Sequence, residues 1–416
     1  MAERRVPRIR FKGFEEDWEQ RKLGELVERV TRKNENMEST LALTISAQYG
    51  LIDQEEFFDK RIASKNIEGY FLIRKGEFAY NKSTSMDAPW GAVKRLDRYG
   101  KGVLSTLYIL FRILNEQQVD SEYLVSYYCT DLWHTEVQKI AAEGARNHGL
   151  LNIAPNDFFE MDLAAPKELQ EQTKIGRLFQ SLDSLLSLHQ RKLEKLKILK
   201  KAMLEKMFPK NGAKVPEIRF SGFTEDWEQR KLKELANRVI VGLATSVTPY
   251  YREQGVPILR NLNIKENHLD DSDLLYLDGV YADKQNSKKI RTGDVLTVHT
   301  GYIGTSCVVP PQYDNCLTFT TLVTTTNSSK ILGDFLSQYL NSQFGMLAVQ
   351  MVTTQGGRQN LNTNDFVQVE MSYPFIAEQK KICEILSTLD SLLSLHQRKL
   401  EKLRQIKKSM LERMFV

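Results

Sequence analysis

The sequence lacks the features that mark membrane, secreted and metal-binding proteins. Its 416 residues contain no apolar run near the roughly 20 residues that a membrane-spanning helix needs, and the charged start has no signal-peptide core. The four cysteines show no CxxC spacing, and the six histidines are not grouped with them. Neither a zinc site nor a disulfide framework is therefore predicted. We expect a cytoplasmic protein without a metal site and without a membrane partner.

Motifs of catalysis are also missing. The sequence has no GxxxxGK[ST] phosphate loop, no HExxH, no GxSxG, and no [DN]PP[YF] of the kind with which amino-methyltransferases hold an adenine amine. The segment nearest to the last motif, Ser372–Phe375 (SYPF), has no Asn or Asp to accept the amine proton. We predict that the chain is not an enzyme and binds no cofactor itself.

What the sequence does contain is a duplication. Leu182–Leu196 reads LDSLLSLHQRKLEKL, and Leu389–Leu403 repeats all fifteen letters. Val6–Val30 returns, with changes, as Val215–Val239. The segments between these blocks show little similarity, so a constant frame carries two different inserts.

The repeated blocks have the heptad pattern of paired helices. Apolar residues and one histidine per helix recur at alternating spacings of four and three, and they form the seam along which the helices would pair. We predict two helices of about 38 to 42 residues, roughly 60 Å long at 1.5 Å per residue, paired as an antiparallel coiled coil. The seam positions are Leu182, Leu186, His189, Leu193, Leu196 and Met203 in the first helix, and Leu389, Leu393, His396, Leu400, Leu403 and Met410 in the second.

The inserts mix short β-like runs with helical stretches, which predicts an α+β fold. We expect a pseudo-twofold tandem repeat in which the helix pair separates two globular recognition domains. The predicted parts are a first domain over 1–166, a first spacer helix over 167–208, a second domain over 209–376 and a second spacer helix over 377–416.

Positive charge is concentrated in the helical segments. Residues 167–214 carry a net charge of +7 and residues 378–416 carry +4, which leaves −6 for the rest of a chain whose total is +5. If the inserts bind DNA, they must do so through local basic patches, because phosphate contacts need clustered positive charge.

Loops in equivalent places of the two inserts carry groups that reach phosphates and base edges. A glycine-started loop late in each insert adds an arginine and amides, which form bidentate contacts with guanine and adenine. One such loop alone is commonly a solvated turn, so the prediction depends on the loops as a set. The candidates are Lys82, Ser83, Thr84, Arg146 and Asn147 in the first insert, His299, Thr300, Tyr302, Arg358, Gln359 and Asn360 in the second, and Lys94, Arg95, Arg260 and Lys265 as further phosphate contacts.

With these parts in order, the whole chain resembles the specificity subunit of a type I restriction-modification system, a phage-defence complex. The motifs that carry the resemblance are Gly13, Phe14, Trp18, Lys22, Leu23 and Glu25, their repeats Gly222, Phe223, Trp227, Lys231, Leu232 and Glu234, and the helix segments Leu188–Lys192 and Leu395–Lys399.

The resemblance implies that each of two target-recognition domains reads one half of a bipartite, asymmetric site in double-stranded DNA. The helices would set the gap and dock two modification subunits, which methylate adenine with S-adenosylmethionine. Two restriction subunits, which use ATP and Mg²⁺, would join them. If half-site centres lie about one turn, roughly 10 bp, apart, we expect a gap of about 5 to 8 bp.

Other functions are compatible with the residues alone. A coiled-coil adaptor would bind proteins rather than DNA through its two heads. A duplicated transcription regulator would read a palindrome, which two unlike inserts argue against. An enzyme that acts alone conflicts with the missing motifs.

Overall fold

The computed structural model describes residues 6–46, 49–60, 63–64, 66–86, 88–141, 149–210, 213–353 and 360–416. The chain forms two compact units, one from residues 1–190 and 398–416, the other from 191–397. Each unit therefore contains one of the predicted inserts and a part of both long helices.

The first unit has a central four-stranded antiparallel sheet and smaller two-stranded ladders. Its strands are β1 (Glu19–Lys22), β2 (Val27–Val30), β3 (Leu43–Ser46), β4 (Gly50–Asp53), β5 (Phe71–Arg74), β6 (Phe78–Asn81), β7 (Ala92–Arg95), β8 (Lys101–Leu104), β9 (Ile109–Ile113) and β10 (Asp162–Ala165). Strands β2, β9, β6 and β7 lie side by side in that order, and β1–β10, β3–β4 and β5–β8 form two-stranded ladders.

An aromatic core packs between this sheet and the helices of the first unit. The helices are α1 (Leu23–Leu26), α2 (Gln54–Phe58), α3 (Ser121–Tyr127), α4 (Leu132–Ile140), α5 (Pro155–Phe159) and α6 (Leu169–Lys206). Phe415 belongs to the same core, with its ring centroid 5.6 to 6.2 Å from those of Trp18, Tyr123 and Phe179. The distant end of the sequence thus completes the first core.

The second unit repeats the central sheet. Its strands are β11 (Glu228–Lys231), β12 (Ala236–Val241), β13 (Tyr251–Arg252), β14 (Val256–Arg260), β15 (Ile264–Lys265), β16 (His268–Leu269), β17 (Leu275–Leu277), β18 (Val295–Val298), β19 (Ser306–Val308), β20 (Leu317–Phe319), β21 (Thr321–Thr326) and β22 (Glu370–Tyr373). The order β12, β21, β18, β19 corresponds strand for strand to β2, β9, β6, β7. Two dissimilar inserts therefore share one sheet.

The second core also receives the end of a long helix. The helices of this unit are α7 (Leu232–Leu235), α8 (Gly279–Asp283), α9 (Gly333–Leu340), α10 (Gln343–Val352), α11 (Thr363–Phe366) and α12 (Ile376–Met414). Phe208, just beyond α6, lies with its ring centroid 5.6 Å from that of Phe335 and 6.2 Å from that of Trp227. It takes the place that Phe415 has in the first core.

Each long helix is fixed at its first turn by a buried ion pair. Arg10 Nε donates to Glu171 Oε1 at 2.7 Å, and Arg219 Nε donates to Glu378 Oε1 at 2.8 Å. Both glutamate side chains are almost wholly buried, and a second guanidinium nitrogen bonds the other carboxylate oxygen in each pair. Bidentate pairing of this kind compensates a buried carboxylate.

The long helices pair antiparallel within each unit, which confirms the predicted fold class. In the first unit Lys407 Nζ lies 2.5 Å from Asp183 Oδ1, and in the second Lys200 Nζ lies 2.5 Å from Asp390 Oδ1. All twelve predicted seam positions are buried or half-buried. Across the described ranges, no helix has the length and apolarity to cross a membrane.

Candidate nucleic-acid interface

In the first unit, the loop that follows β6 lies against the chain just after the predicted glycine-started loop. Thr84 donates from its backbone N to Gly149 O at 2.7 Å and from Oγ1 to the same oxygen at 3.1 Å. Leu151 N donates to Lys82 O at 3.0 Å. These bonds fix Lys82, Ser83 and Thr84 at the C-terminal end of β6 in the central sheet.

The second unit has the same arrangement after β18. Leu361 N donates to His299 O at 2.9 Å, and Thr300 pairs with Asn360 in an antiparallel bridge. Asn261 Nδ2 donates to Thr300 Oγ1 at 3.2 Å and supports the loop from below. The structure thus brings Asn360 next to His299 and Thr300, from which it is about 60 residues away in the sequence.

Two of the predicted arginines and the amide residues next to them fall outside the part of the chain that the structure describes. Arg146 and Asn147 in the first unit, and Arg358 and Gln359 in the second, lie outside the described residues. The described chain on their C-terminal side, at Gly149 and Asn360, borders both loops. Their contact with bases stays a prediction.

Two polar groups near these loops, the Lys82 ammonium and Nδ1 of His299, are partly or wholly buried. Partial burial, with a smaller effect from Arg29, lowers the pKa of the Lys82 ammonium, and its Nζ lies 3.4 Å from Ile153 O. Nδ1 of His299 is buried and has no hydrogen-bond partner among the residues that the structure describes.

Comparison with known proteins agrees with this geometry. Residues 224–405 match the family model of the type I restriction modification DNA specificity domain. The chain is 22% identical over 324 residues to the MjaVIII specificity subunit of a type I restriction enzyme from Methanocaldococcus jannaschii, covering 75% of this chain and 73% of that protein. It is also 22% identical over 304 residues to the MjaX specificity subunit of the same organism, covering 71% of this chain and 68% of that one.

Solved structures show the same fold. The type I restriction-modification S subunit from M. genitalium matches with a TM-score of 0.62 at 13% identity, over 99% of both chains. A chain from a structure of a type I R-M system, solved for its assembly and conformational transition, matches with a TM-score of 0.50 at 19% identity, over 97% of this chain and 99% of that one. Residues 224–405 thus match a type I restriction modification DNA specificity domain, and the whole chain is similar to the specificity subunits of type I restriction-modification systems, as the sequence predicted. Such subunits are the non-catalytic component of their systems, which confirms the prediction from the missing motifs.

In the first unit, three neighbouring side chains hold Arg95, which the sequence predicts as a phosphate contact. Its guanidinium donates to Glu122 Oε1 at 2.6 Å, to Asp97 Oδ1 at 2.7 Å and to Ser121 Oγ at 2.8 Å. Only 12% of the side chain is exposed. Lys94, the preceding residue on β7, is half-buried. The phosphate contacts of both residues stay predictions.

Arg260 is also paired with a carboxylate, and its phosphate contact stays a prediction. Its Nη2 donates to the backbone oxygen of Asp273 at 2.7 Å and to Asp273 Oδ2 at 2.9 Å. Lys265, on the adjacent hairpin, is exposed but has Asp270 Oδ2 at 4.0 Å. Acidic residues dominate the segment 266–283, so this part of the second unit is unfavourable for phosphate.

The connection between β6 and β7 and the connection between β18 and β19 each contain one highly exposed large side chain. Tyr302, a predicted site residue, is 89% exposed, and Met86, which the sequence reasoning did not single out, is 100% exposed. Met86 had no signal in the sequence, because only the shared sheet shows that its turn corresponds to that of Tyr302.

Proposed function

We propose that this specificity subunit reads a bipartite, asymmetric site in double-stranded DNA, with one half-site for each unit. The observation that supports this most directly is the repeated placement of two loops at the C-terminal end of the equivalent strand, β6 in the first unit and β18 in the second. The first unit offers Lys82, Ser83 and Thr84 there, and the second offers His299, Thr300 and Asn360. Different donors and acceptors select different bases, so the two half-sites should differ.

In this function, positioning and reading are separate tasks. Lys82 and Lys94 contact phosphates, while Thr84, Asn360 and the arginines of the glycine-started loops, Arg146 and Arg358, reach base edges. The DNA specificity domain matched by the family model favours direct DNA reading over the adaptor hypothesis.

The paired helices set the gap between half-sites. Their Leu-rich seam and the buried ion pairs at their first turns give each unit a rigid attachment to the helices. If half-site centres lie about one turn of B-DNA apart, about 5 to 8 bp of undefined sequence separate the two halves.

The outer faces of the same helices offer matching surfaces to modification subunits. Leu185 and Leu188 on α6 are 43% and 40% exposed, and their repeats Leu392 and Leu395 on α12 are 37% and 38% exposed. Equal sites on two helices fit two copies of one partner. Those modification subunits would supply S-adenosylmethionine chemistry, and two restriction subunits would supply ATP- and Mg²⁺-dependent steps.

Adenine-methylation mapping tests this function. Genomes are compared from cells that express a type I modification subunit with and without this chain. A split motif with a fixed gap that depends on the chain is the expected result. A stable complex with the modification subunit but no new motif would instead support the adaptor.

A further inference from the structure

Met86 and Tyr302 are the two most exposed large hydrophobic side chains among the described residues. Single exposed hydrophobic residues are common on protein surfaces and need no special cause. Here, however, the two occupy corresponding turns, since β6–β7 and β18–β19 are the same neighbouring strands of the shared sheet.

Both turns are held firmly while their tips are left bare. Around Met86, Ser85 N donates to Ala88 O at 3.1 Å and Ala88 N donates to Ser85 O at 3.2 Å. Around Tyr302, Ile303 N donates to Gly301 O at 2.9 Å. Gly301 has a φ of 87°, which a residue with a side chain rarely adopts. These bonds hold the two turns while Met86 and Tyr302 stay almost fully exposed among the residues that the structure describes.

The tips stand beside the loops that the proposed function assigns to DNA. The turn with Met86 directly continues Lys82, Ser83 and Thr84, and the turn with Tyr302 directly continues His299 and Thr300. A thioether cannot form strong hydrogen bonds with base edges, so its contribution must come from contact with the faces of bases or with thymine methyl groups. Methionine is among the apolar side chains that proteins insert between base steps, and an aromatic ring stacks on any base.

We propose, building on the proposed function, that Met86 and Tyr302 are wedge residues, each of which enters a base step of the half-site read by its own unit. Each wedge partly unstacks that step and kinks the duplex there. The partner that methylates adenine must take its target base out of the duplex, which costs less where stacking is already broken. The specificity subunit thus both reads the half-site and opens it.

The test uses the assembled complex of this chain with its modification subunits on the DNA site found by methylation mapping. 2-Aminopurine replaces, one at a time, the adenines on either strand in and next to both half-sites, other than the methylated ones, and its fluorescence reports local unstacking. Wild-type complex should raise the signal at one step in each half-site. Met86→Ala should abolish the rise in the first half-site only, and Tyr302→Ala in the second only, with about tenfold weaker binding from lost stacking.

Conservative and distant changes complete the design. Met86→Leu and Tyr302→Phe keep the apolar bulk and should keep the signal, whereas the exposed controls Tyr49→Ala and Val280→Ala should change neither signal nor affinity. Sequence-specific binding with no unstacking, or with unstacking that survives both alanine changes, would overturn the wedge and leave the proposed function intact. Loss of affinity without a change in unstacking would assign the two side chains to groove contacts and also overturn it. Absence of specific binding by the wild-type complex would instead refute the proposed function.

Discussion

At the scale of single residues, the fold supplies partners that the sequence does not show. Thr300 and Asn360 are separate candidates in the sequence, and the structure pairs them. Arg95 and Arg260 are predicted phosphate contacts, and the structure pairs them with Glu122 and Asp273. Those carboxylates come from other elements, and only the fold brings them within reach of the arginines. Local composition therefore cannot separate a structural arginine from a binding one.

Replacing Asn360 with Ala should relax the second half-site alone. Its amide lies at the edge of the second loop pair, and each good bidentate base contact is worth about 1–3 kcal/mol of discrimination. Methylation mapping should show one degenerate position in the second half-site and an unchanged first half-site. Thr84→Ala is the matched variant, which should relax only the first. Uniform weakening at all sequences would show that Asn360 contacts the backbone.

Replacing Phe415 with Ala should loosen the first unit while leaving the second intact. The change removes a buried ring from contact with Trp18, Tyr123 and Phe179, which should cost about 3–5 kcal/mol. Hydrogen exchange followed by mass spectrometry should show faster exchange in residues 6–190 and little change in 213–353. Phe208→Ala is the mirror variant. Equal loss of protection in both units after either change would contradict separate cores.

At the scale of elements, the long helices were predicted well, and the short strands less so. Heptad spacing predicted about 38 to 42 residues, and the helices have 38 and 39. The mostly apolar segment 104–111 looks like a single strand in the sequence, but it contains the end of β8, a turn and the start of β9. The cause is a turn in which Tyr108 N donates to Ser105 O at 3.1 Å. The heptad pattern of a long helix is supported by many residues, so one exception does not hide it. The alternating pattern of a strand covers only a few residues, and a single turn interrupts it.

Removing Glu171 should weaken the attachment of α6 to the first unit. In Glu171→Ala the Arg10 guanidinium, 12% exposed, loses its buried partner, and breaking such a pair costs about 3–5 kcal/mol. Urea unfolding of the chain should show this loss, and Glu378→Ala should show a similar one through Arg219. Replacing both Arg10 and Glu171 with Met should recover most of the stability, because no buried charge is then left unpaired. A double variant as unstable as Glu171→Ala would mean that the pair also orients the helix.

At the scale of the whole molecule, the duplication explains why two inserts and two long helices could be predicted from a single sequence. Identical blocks such as Leu182–Leu196 and Leu389–Leu403 mark the common helices, and their distance apart outlines two inserts. The common sheet of those inserts was not accessible, because strand order depends on long-range pairing that two unlike sequences reach by different side chains. Only the observed order of β2, β9, β6, β7 and β12, β21, β18, β19 shows it.

If the helix pair sets the gap, lengthening both helices equally should lengthen the gap and nothing else. Four helical residues inserted after Lys195, and four after the equivalent Lys402, add about 6 Å, close to the rise of two base pairs at 3.4 Å each. Four residues are also near one full turn, so the leucine seam stays in phase apart from a local unwinding. Methylation mapping should therefore return the same two half-sites with a gap longer by one or two bases. Inserting four residues in α6 alone is the control that should disrupt pairing rather than shift the gap. Altered half-sites in the matched variant would mean that the helices shape the reading loops themselves, and an unchanged gap would mean that the distance is set elsewhere.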